Sequence, residues 1–259
     1  MSCRLSIACR RASRPARRAA KSSSPRFGTR SSETRGRSGM ADSIASVRDT
    51  LPRFLLELET ALASAGMSAR EPAAATGLDE FAALVRGIAP GSPRSGPAPA
   101  RLPVCRFWPA ALEAASRAVA APLAAALAPL MPALAWTQNP NYRRQPPEPT
   151  FLDRYGYSVI AGPPDGPPAL ARAPALALGV LLLGPRTHYP RHAHPAVEVY
   201  YTLTDGEWWR DEGPWRPQPP GTAIVHAPHV RHAMRAGDAP LLAVYLWRGD
   251  LATHARLTS

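Results

Sequence analysis

Cysteine is scarce in this sequence, and long hydrophobic runs are missing. Two of the three cysteines lie within the first nine residues, which leaves Cys105 alone in the rest of the chain. A single cysteine cannot form an internal disulfide, so we expect a reducing compartment and a cytoplasmic location. A membrane-spanning helix needs about 18 or more consecutive apolar residues, and prolines interrupt the Leu- and Ala-rich segment 123–134 before that length is reached. We therefore expect no membrane association.

Acidic residues are nearly absent from the first 39 residues. This segment holds eleven of the 31 basic residues and one acid, Glu33, and so carries +10 of the formal net charge of +12. The rest of the chain is nearly neutral, which argues against nucleic acid as a partner. We interpret residues 1–39 as a basic, disordered extension. Its Arg- and Ser-rich composition is typical of an organellar transit peptide, and the alternative is that translation starts at Met40.

Residues 40–135 are predicted to form a helical region. Apolar residues recur at helical spacing over residues 47–62, and Gly66 is placed to end this first helix. A second helix is predicted over residues 78–88, with Thr76 as its N-cap.

A third helix is predicted over residues 109–127, with one apolar face that includes Val119. Proline, glycine and serine dominate segment 89–101, which predicts a loop or linker between the second and third helices. We expect the apolar helix faces to pack on a sheet of the same chain. The alternative is a dimer interface, so a homodimer stays open.

Residues 136–259 have the pattern of a β domain. Short apolar runs alternate with Pro- and Gly-containing turns, which is typical of a small antiparallel sandwich or barrel. The predicted strands cover residues 155–160, 176–183, 198–203, 222–226 and 241–247. The predicted fold class is therefore mostly β, with the helical region packed on the barrel.

Histidines are concentrated in this β region. All seven lie after residue 187, and His192, His194 and Glu198 form an H-x-H-x-x-x-E array, with His232 on a later strand. Residues two apart on a strand project to the same face, so His192 and His194 can bind one ion. Glu198 cannot lie on the same straight strand, because six residues would span about 20 Å. The chain must therefore turn near Pro195.

These three histidines and Glu198 are the predicted ligands of one divalent metal ion. Neutral imidazole nitrogens and a carboxylate oxygen suit Zn²⁺, Fe²⁺, Mn²⁺ or Ni²⁺, and the sequence does not choose among them. Tyr200 follows Glu198 by two residues and is expected on the same inward face. His226 and His254 are interpreted as structural or surface histidines.

The array resembles the motifs of the cupin superfamily. The first motif, H-x-H-x-x-x-E between glycines, is matched by Gly184, His192, His194, Glu198 and Gly206, and the second is approximated by Gly221, Pro228 and His232. This resemblance implies a cupin fold, that is, a double-stranded β-helix forming a small antiparallel barrel.

A narrower resemblance covers residues 136–257. The segments QNPNY, FLDRYGY, YPRHAHPAVEVYY and PLLAVYLWRGDL and the paired Trp208 and Trp209 are similar to those of the cupin-type dimethylsulfoniopropionate (DMSP) lyases, most closely the DddL type. The resemblance implies the same metal ligands as above. It also implies Tyr200 as general base, Tyr189 as a second tyrosine in substrate binding or proton handling, and Trp247 as an aromatic residue of the substrate pocket.

The implied reaction is a β-elimination that converts DMSP to dimethyl sulfide and acrylate. The metal ion is expected to bind the substrate carboxylate and to favour the phenolate of Tyr200, which takes the Cα proton. The substrate sulfonium is expected against an aromatic wall, for which the candidates are Trp247, Tyr189, Trp208 and Tyr142. The alternatives are a metal-dependent cupin dioxygenase and a non-catalytic cupin that binds a small ligand.

Overall fold

A computed structural model of the chain describes residues 34–89 and 100–259. Most of the predicted extension 1–39 lies outside the described residues, and so does most of the predicted linker 89–101. The domain boundaries expected at residues 39 and 135 stay predictions.

Helices form the first part of the described chain, and two short helices lie between the first two strands. The α-helices are α1 (Thr34–Ser68), α2 (Pro72–Arg86), α3 (Trp108–Ser116), α4 (Ala121–Leu127), α5 (Pro140–Arg144) and α6 (Phe151–Arg154), and 3-10 helices cover Pro103–Phe107 and Ala128–Ala133. Helix α1 packs against α2 and α4, and its Phe54, Leu58 and Leu62 are fully buried.

Three details of the predicted helices are wrong. Helix α1 continues two residues past Gly66. Helix α2 begins at Pro72 rather than after Thr76, because proline already has a helical φ and lacks only an N–H that a helix start leaves unpaired. The predicted third helix is two helices, α3 and α4, since Pro122 has no N–H to donate to the preceding turn, and Val119 between them is exposed.

The strands form two largely antiparallel sheets. They are β1 (Trp136–Thr137), β2 (Tyr155–Gly162), β3 (Ala171–Arg172), β4 (Ala177–Leu183), β5 (His188–Ala193), β6 (Val197–Thr202), β7 (Gly206–Arg210), β8 (Arg216–Gln218), β9 (Ala223–His226), β10 (His232–Arg235), β11 (Leu241–Arg248) and β12 (Arg256–Leu257). One sheet has the order β1-β2-β4-β11-β6-β9 with β3 beside β2, and the other has the order β12-β5-β10-β7-β8. The five predicted strands correspond to β2, β4, β6, β9 and β11, with ends shifted by one or two residues.

The seven-stranded sheet is buried on both faces, which explains why its strands are nearly continuous in apolar residues. On β4, Val180 and Leu182 belong to the core shared with the helices, whereas Leu181 belongs to the core between the two sheets. Strand β6 alternates in the same way, with Tyr201 on the helix side and Tyr200 between the sheets. The predicted mostly β architecture with helices packed on it is confirmed.

Within residues 34–89 and 100–259, no helix is both long and apolar enough to span a bilayer. Cys105 is buried and its thiol is free. Burial raises the pKa of this thiol, so Cys105 is a small apolar core residue rather than a reactive thiolate.

Candidate metal centre and its cavity

The predicted ligands lie near the point where the chain passes from one sheet to the other. His192 lies on β5 and His232 on β10 of the five-stranded sheet, and Glu198 lies on β6 of the seven-stranded sheet. His194 lies one residue past the end of β5, in the turn that contains Pro195, and so does not share a regular strand with His192. All four candidate ligands are at most 3% exposed.

Three of these side chains converge on one point. The Nε2 atom of His194 lies 3.0 Å from Oε2 of Glu198, and the Nε2 atom of His232 lies 3.0 Å from the same oxygen. The donor atoms of the three residues are all within 4.8 Å of one another. The contact of His232 with Glu198 lacks hydrogen-bond direction, and its Nε2 has no hydrogen-bond partner among the described residues.

Backbone carbonyl groups orient both of these imidazoles. Nδ1 of His194 lies 3.1 Å from the carbonyl oxygen of Ala196, and Nδ1 of His232 lies 2.9 Å from that of Val230. A carbonyl oxygen only accepts, so each Nδ1 must carry a hydrogen and donate it. In a neutral imidazole the other nitrogen, Nε2, then keeps its lone pair, and Nε2 is the atom that faces Glu198.

This donor set fits a divalent metal ion. Two imidazole lone pairs and a carboxylate oxygen repel one another at these distances unless positive charge lies among them. Either an additional proton or a cation can supply it, and neutral nitrogen with anionic oxygen is the combination that Zn²⁺ and related ions accept. Burial alone would raise the pKa of Glu198, but His194 and His232 outweigh it and hold that pKa well below its ordinary value. Glu198 is therefore ionised, as a candidate carboxylate ligand must be.

His192 lies beside the three converging residues rather than among them. Its ring is stacked on Tyr189, with centroids 4.1 Å apart and 7° between the planes, and its centroid is also 4.1 Å from that of His232. Its Nδ1 lies 2.8 Å from the carbonyl oxygen of Pro190, so its Nε2 also keeps a lone pair. Burial and His232 lower the pKa of His192. His192 stays a predicted fourth ligand.

A cavity opens beside Glu198. Its empty space is about 610 Å³, the mouth to solvent included. Six of its lining residues are aromatic: Tyr155, Tyr157, Tyr189, Tyr200, Tyr245 and Trp247. Among the described residues that line it, Glu198 is the single acid and there is no lysine or arginine. The cavity therefore suits a small ligand with a cationic group, which aromatic faces attract.

The predicted site residues fall into two groups around this cavity. Tyr200, Tyr189 and Trp247 line it. Tyr142 and Trp208 are not in the lining, although both are buried next to it. The hydroxyl of Tyr189 donates to that of Tyr142 at 3.2 Å, and the ring of Trp208 lies 6.0 Å from that of Tyr200. Tyr142 and Trp208 are therefore placed to support the lining tyrosines from behind.

Three tyrosines without a role predicted from the sequence also line the cavity. Tyr245 precedes Trp247 by two residues on β11, so the two share a face, and this signal was available in the sequence. Tyr155 and Tyr157 also alternate on one face, that of β2, but only the β2–β4–β11 order brings them to the cavity. That order depends on contacts distant in sequence.

Burial keeps the phenols of the cavity neutral. Burial raises the pKa of Tyr157 to about 12. Burial and the neighbouring Tyr142 raise the pKa of Tyr189 well above its ordinary value. Burial raises the pKa of Tyr200 in the same way, and the negative charge of the nearby Glu198 adds to the shift. A phenolate at Tyr200 therefore needs positive charge close to its oxygen.

His226 is a further buried histidine, for which the sequence predicts a structural or surface role. It lies opposite Glu198 in the β6–β9 pair, and its ring is stacked on that of His232, with centroids 4.2 Å apart and 16° between the planes. Neither ring nitrogen has a hydrogen-bond partner within the described part of the chain. Burial and His232 hold the pKa of His226 well below its ordinary value. His226 is thus a neutral ring that packs against the candidate ligand His232.

The fold and the buried histidine–carboxylate cluster define a cupin-type barrel with a candidate metal site. Residues 79–243, more than half of the chain, match the family model of the dimethylsulfoniopropionate lyases. The chain belongs to this family, which confirms the family resemblance seen in the sequence.

Known proteins of the same family resemble the chain in sequence and structure. Dimethylsulfoniopropionate lyase DddQ of Ruegeria pomeroyi is 36% identical over 109 residues, or 42% of this chain and 52% of DddQ, so the match spans about half of that relative. The crystal structure of that DddQ has a TM-score of 0.58 at 27% identity and covers 80% of this chain and 96% of DddQ.

A second crystal structure, described as one of the DMSP lyases RdDddP and RnDddQII, is similar in fold. It has a TM-score of 0.58 at 22% identity and covers 82% of this chain and 99% of its own. These relatives include DddQ-type proteins, and the predicted closer likeness to the DddL type stays a prediction.

Proposed function

We propose that the protein is a metal-dependent DMSP lyase that releases dimethyl sulfide and acrylate by β-elimination. One observation carries the proposal: Glu198, in the buried donor cluster, and Tyr200 line the same aromatic cavity. A candidate ligand and a candidate base therefore face one small-molecule site. The relatives that are named DMSP lyases support this substrate.

The charge of the cavity suits the two ends of DMSP. The sulfonium is a cation without a hydrogen to donate, so aromatic faces such as those of Tyr157, Tyr245 and Trp247 bind it by cation–π attraction. The substrate carboxylate has no lysine or arginine partner among the described lining residues. A divalent ion held by His194, Glu198 and His232, with His192 as fourth ligand, would supply Lewis acidity for that carboxylate and positive charge that favours the Tyr200 phenolate.

Tyr200 accepts the proton from Cα in the proposed reaction. The electron pair of the broken C–H bond forms the carbon–carbon double bond of acrylate, and the C–S pair leaves with dimethyl sulfide. Tyr189 lines the cavity and donates a hydrogen bond to Tyr142, so we assign it to substrate contact and to passing the proton away from the site.

The experiment that tests this function is headspace gas analysis of the purified protein given DMSP. We expect dimethyl sulfide in the presence of Zn²⁺, Fe²⁺, Mn²⁺ or Ni²⁺, and a loss of release after treatment with a chelator. Release under nitrogen separates a lyase from a cupin dioxygenase, which needs O₂. Absence of dimethyl sulfide with every metal would contradict the proposed function. We also propose a cytoplasmic location, with an organellar location as the alternative if residues 1–39 are a transit segment; a homodimer stays open.

A further inference from the structure

Trp247 contacts two candidate ligands as well as the cavity. It lies on β11 directly opposite Glu198 on β6, so both side chains project from the same face of the sheet. Its indole Nε1 donates a hydrogen bond of 2.5 Å to Oε1 of Glu198. Its ring is stacked on His194, with centroids 4.1 Å apart and 28° between the planes.

These contacts give the two oxygens of Glu198 different environments. Oε2 faces the Nε2 atoms of His194 and His232, whereas Oε1 accepts the N–H of Trp247. An indole N–H only donates. The hydrogen bond therefore fixes the rotation of the carboxylate group of Glu198. Its Oε2 atom is left facing the Nε2 atoms of His194 and His232.

We propose that Trp247 is a positioning residue of the metal centre, which holds Glu198 and His194 in the orientation that binds the ion. Groups that hydrogen-bond to metal ligands set the direction and basicity of those ligands, and their loss costs about 10- to 100-fold in metal affinity. The inference rests on the metal centre of the proposed function, and not on the identity of the substrate.

This role differs from that of an aromatic wall for the substrate sulfonium. A wall needs the ring face, whereas positioning of Glu198 needs the indole N–H. Trp247→Phe keeps a ring in the cavity and beside His194 but removes the donor. The matched control is Tyr245→Phe, because Tyr245 lies two residues earlier on the same face of β11, lines the same cavity and also loses one polar group.

The test measures metal affinity without substrate. The metal-free wild type and both variants are titrated with Zn²⁺ against a chromophoric chelator, and the visible absorption of the Co²⁺ forms reports ligand geometry. We expect Trp247→Phe to bind Zn²⁺ 10- to 100-fold more weakly than the wild type and to shift the Co²⁺ bands. Tyr245→Phe should keep the Zn²⁺ affinity and the Co²⁺ bands of the wild type. At saturating metal, the KM of Trp247→Phe for DMSP should stay within about threefold because the aromatic face remains.

Other results overturn the inference. Unchanged Zn²⁺ affinity and an unchanged Co²⁺ spectrum in Trp247→Phe would limit Trp247 to the cavity wall, and so would an equal loss of affinity in Tyr245→Phe. Thermal unfolding of the metal-free proteins shows whether Trp247→Phe folds. If it does not, replacement of the indole NH by sulfur, with benzothienylalanine at position 247, removes the donor while keeping the shape. A failure of the proposed lyase function is separate, since it would appear as absent dimethyl sulfide with normal metal binding.

Discussion

Replacing Tyr200 by phenylalanine removes one buried oxygen atom and little else. The ring lies 6.0 Å from that of Trp208 and 6.2 Å from that of His226, and phenylalanine keeps both contacts. The lost hydroxyl lies near the charge of Glu198, and Glu198 keeps the hydrogen bond from the indole N–H of Trp247. A single buried hydrogen bond contributes about 1 kcal/mol, so we expect the free energy of unfolding to fall by no more than that.

The catalytic effect of Tyr200→Phe should be much larger. Loss of a general base lowers the rate by about 10²- to 10⁴-fold. This corresponds to about 3–5 kcal/mol of transition-state stabilisation, since each tenfold change in rate is about 1.4 kcal/mol. Because Tyr200 is proposed as the general base and not as a partner of the sulfonium, we expect the loss to fall on kcat rather than on KM.

The assay follows dimethyl sulfide by gas chromatography over a range of DMSP concentrations, with the bound metal quantified in each preparation. Tyr201→Phe is the matched control, because Tyr201 is the next residue of β6 and faces the helices. We expect the control to keep wild-type kcat. A metal-loaded Tyr200→Phe protein that retains kcat within about tenfold of the wild type would refute the assignment of Tyr200 as the base.

Two further substitutions test the donor cluster and the sheet behind it. His194→Ala should lose bound metal and dimethyl sulfide release together, which elemental analysis and headspace gas analysis measure. The control His188→Ala should keep both. A His194→Ala protein that is active without metal would exclude the proposed metal site. Gly179→Ala would place a Cβ atom 2.1 Å from the carbonyl oxygen of Ser158, so we expect urea unfolding to show a loss of at least about 1–3 kcal/mol. Gly237→Ala has nothing within 4 Å and serves as its control, so equal stability of the two variants would contradict this packing.

Much of the candidate site could be predicted because its signals are local. The H-x-H-x-x-x-E spacing, with Pro195 between the second histidine and Glu198, requires a turn, and the structure has this turn. The alternation of β6 likewise predicts that Glu198 and Tyr200 share a face. The predicted helix ends are less accurate. Pro72 and Pro122 nevertheless mark, in the sequence, the start of α2 and the division between α3 and α4.

The remaining parts of the site depend on which strands become neighbours. Tyr155 and Tyr157 reach the cavity only because β2 pairs with β4, which in turn pairs with β11. His226 packs on His232 only because β9 pairs with β6 in one register. The hydrogen bond between Trp247 and Glu198 likewise forms only because β6 and β11 pair in the register that places these two residues opposite each other. Such pairings come from the packing of the whole chain, which no short motif encodes.

The division of the donors between the two sheets has a mechanical consequence. His232 belongs to one sheet and Glu198 to the other, so an ion bound by both is a cross-link across the barrel. Separation of the sheets would then require release of the ion. At a free metal concentration of 100 times the dissociation constant, the bound ion adds about 2.7 kcal/mol to the stability of the folded state. Metal supply would thereby set the rigidity of the barrel as well as its chemistry.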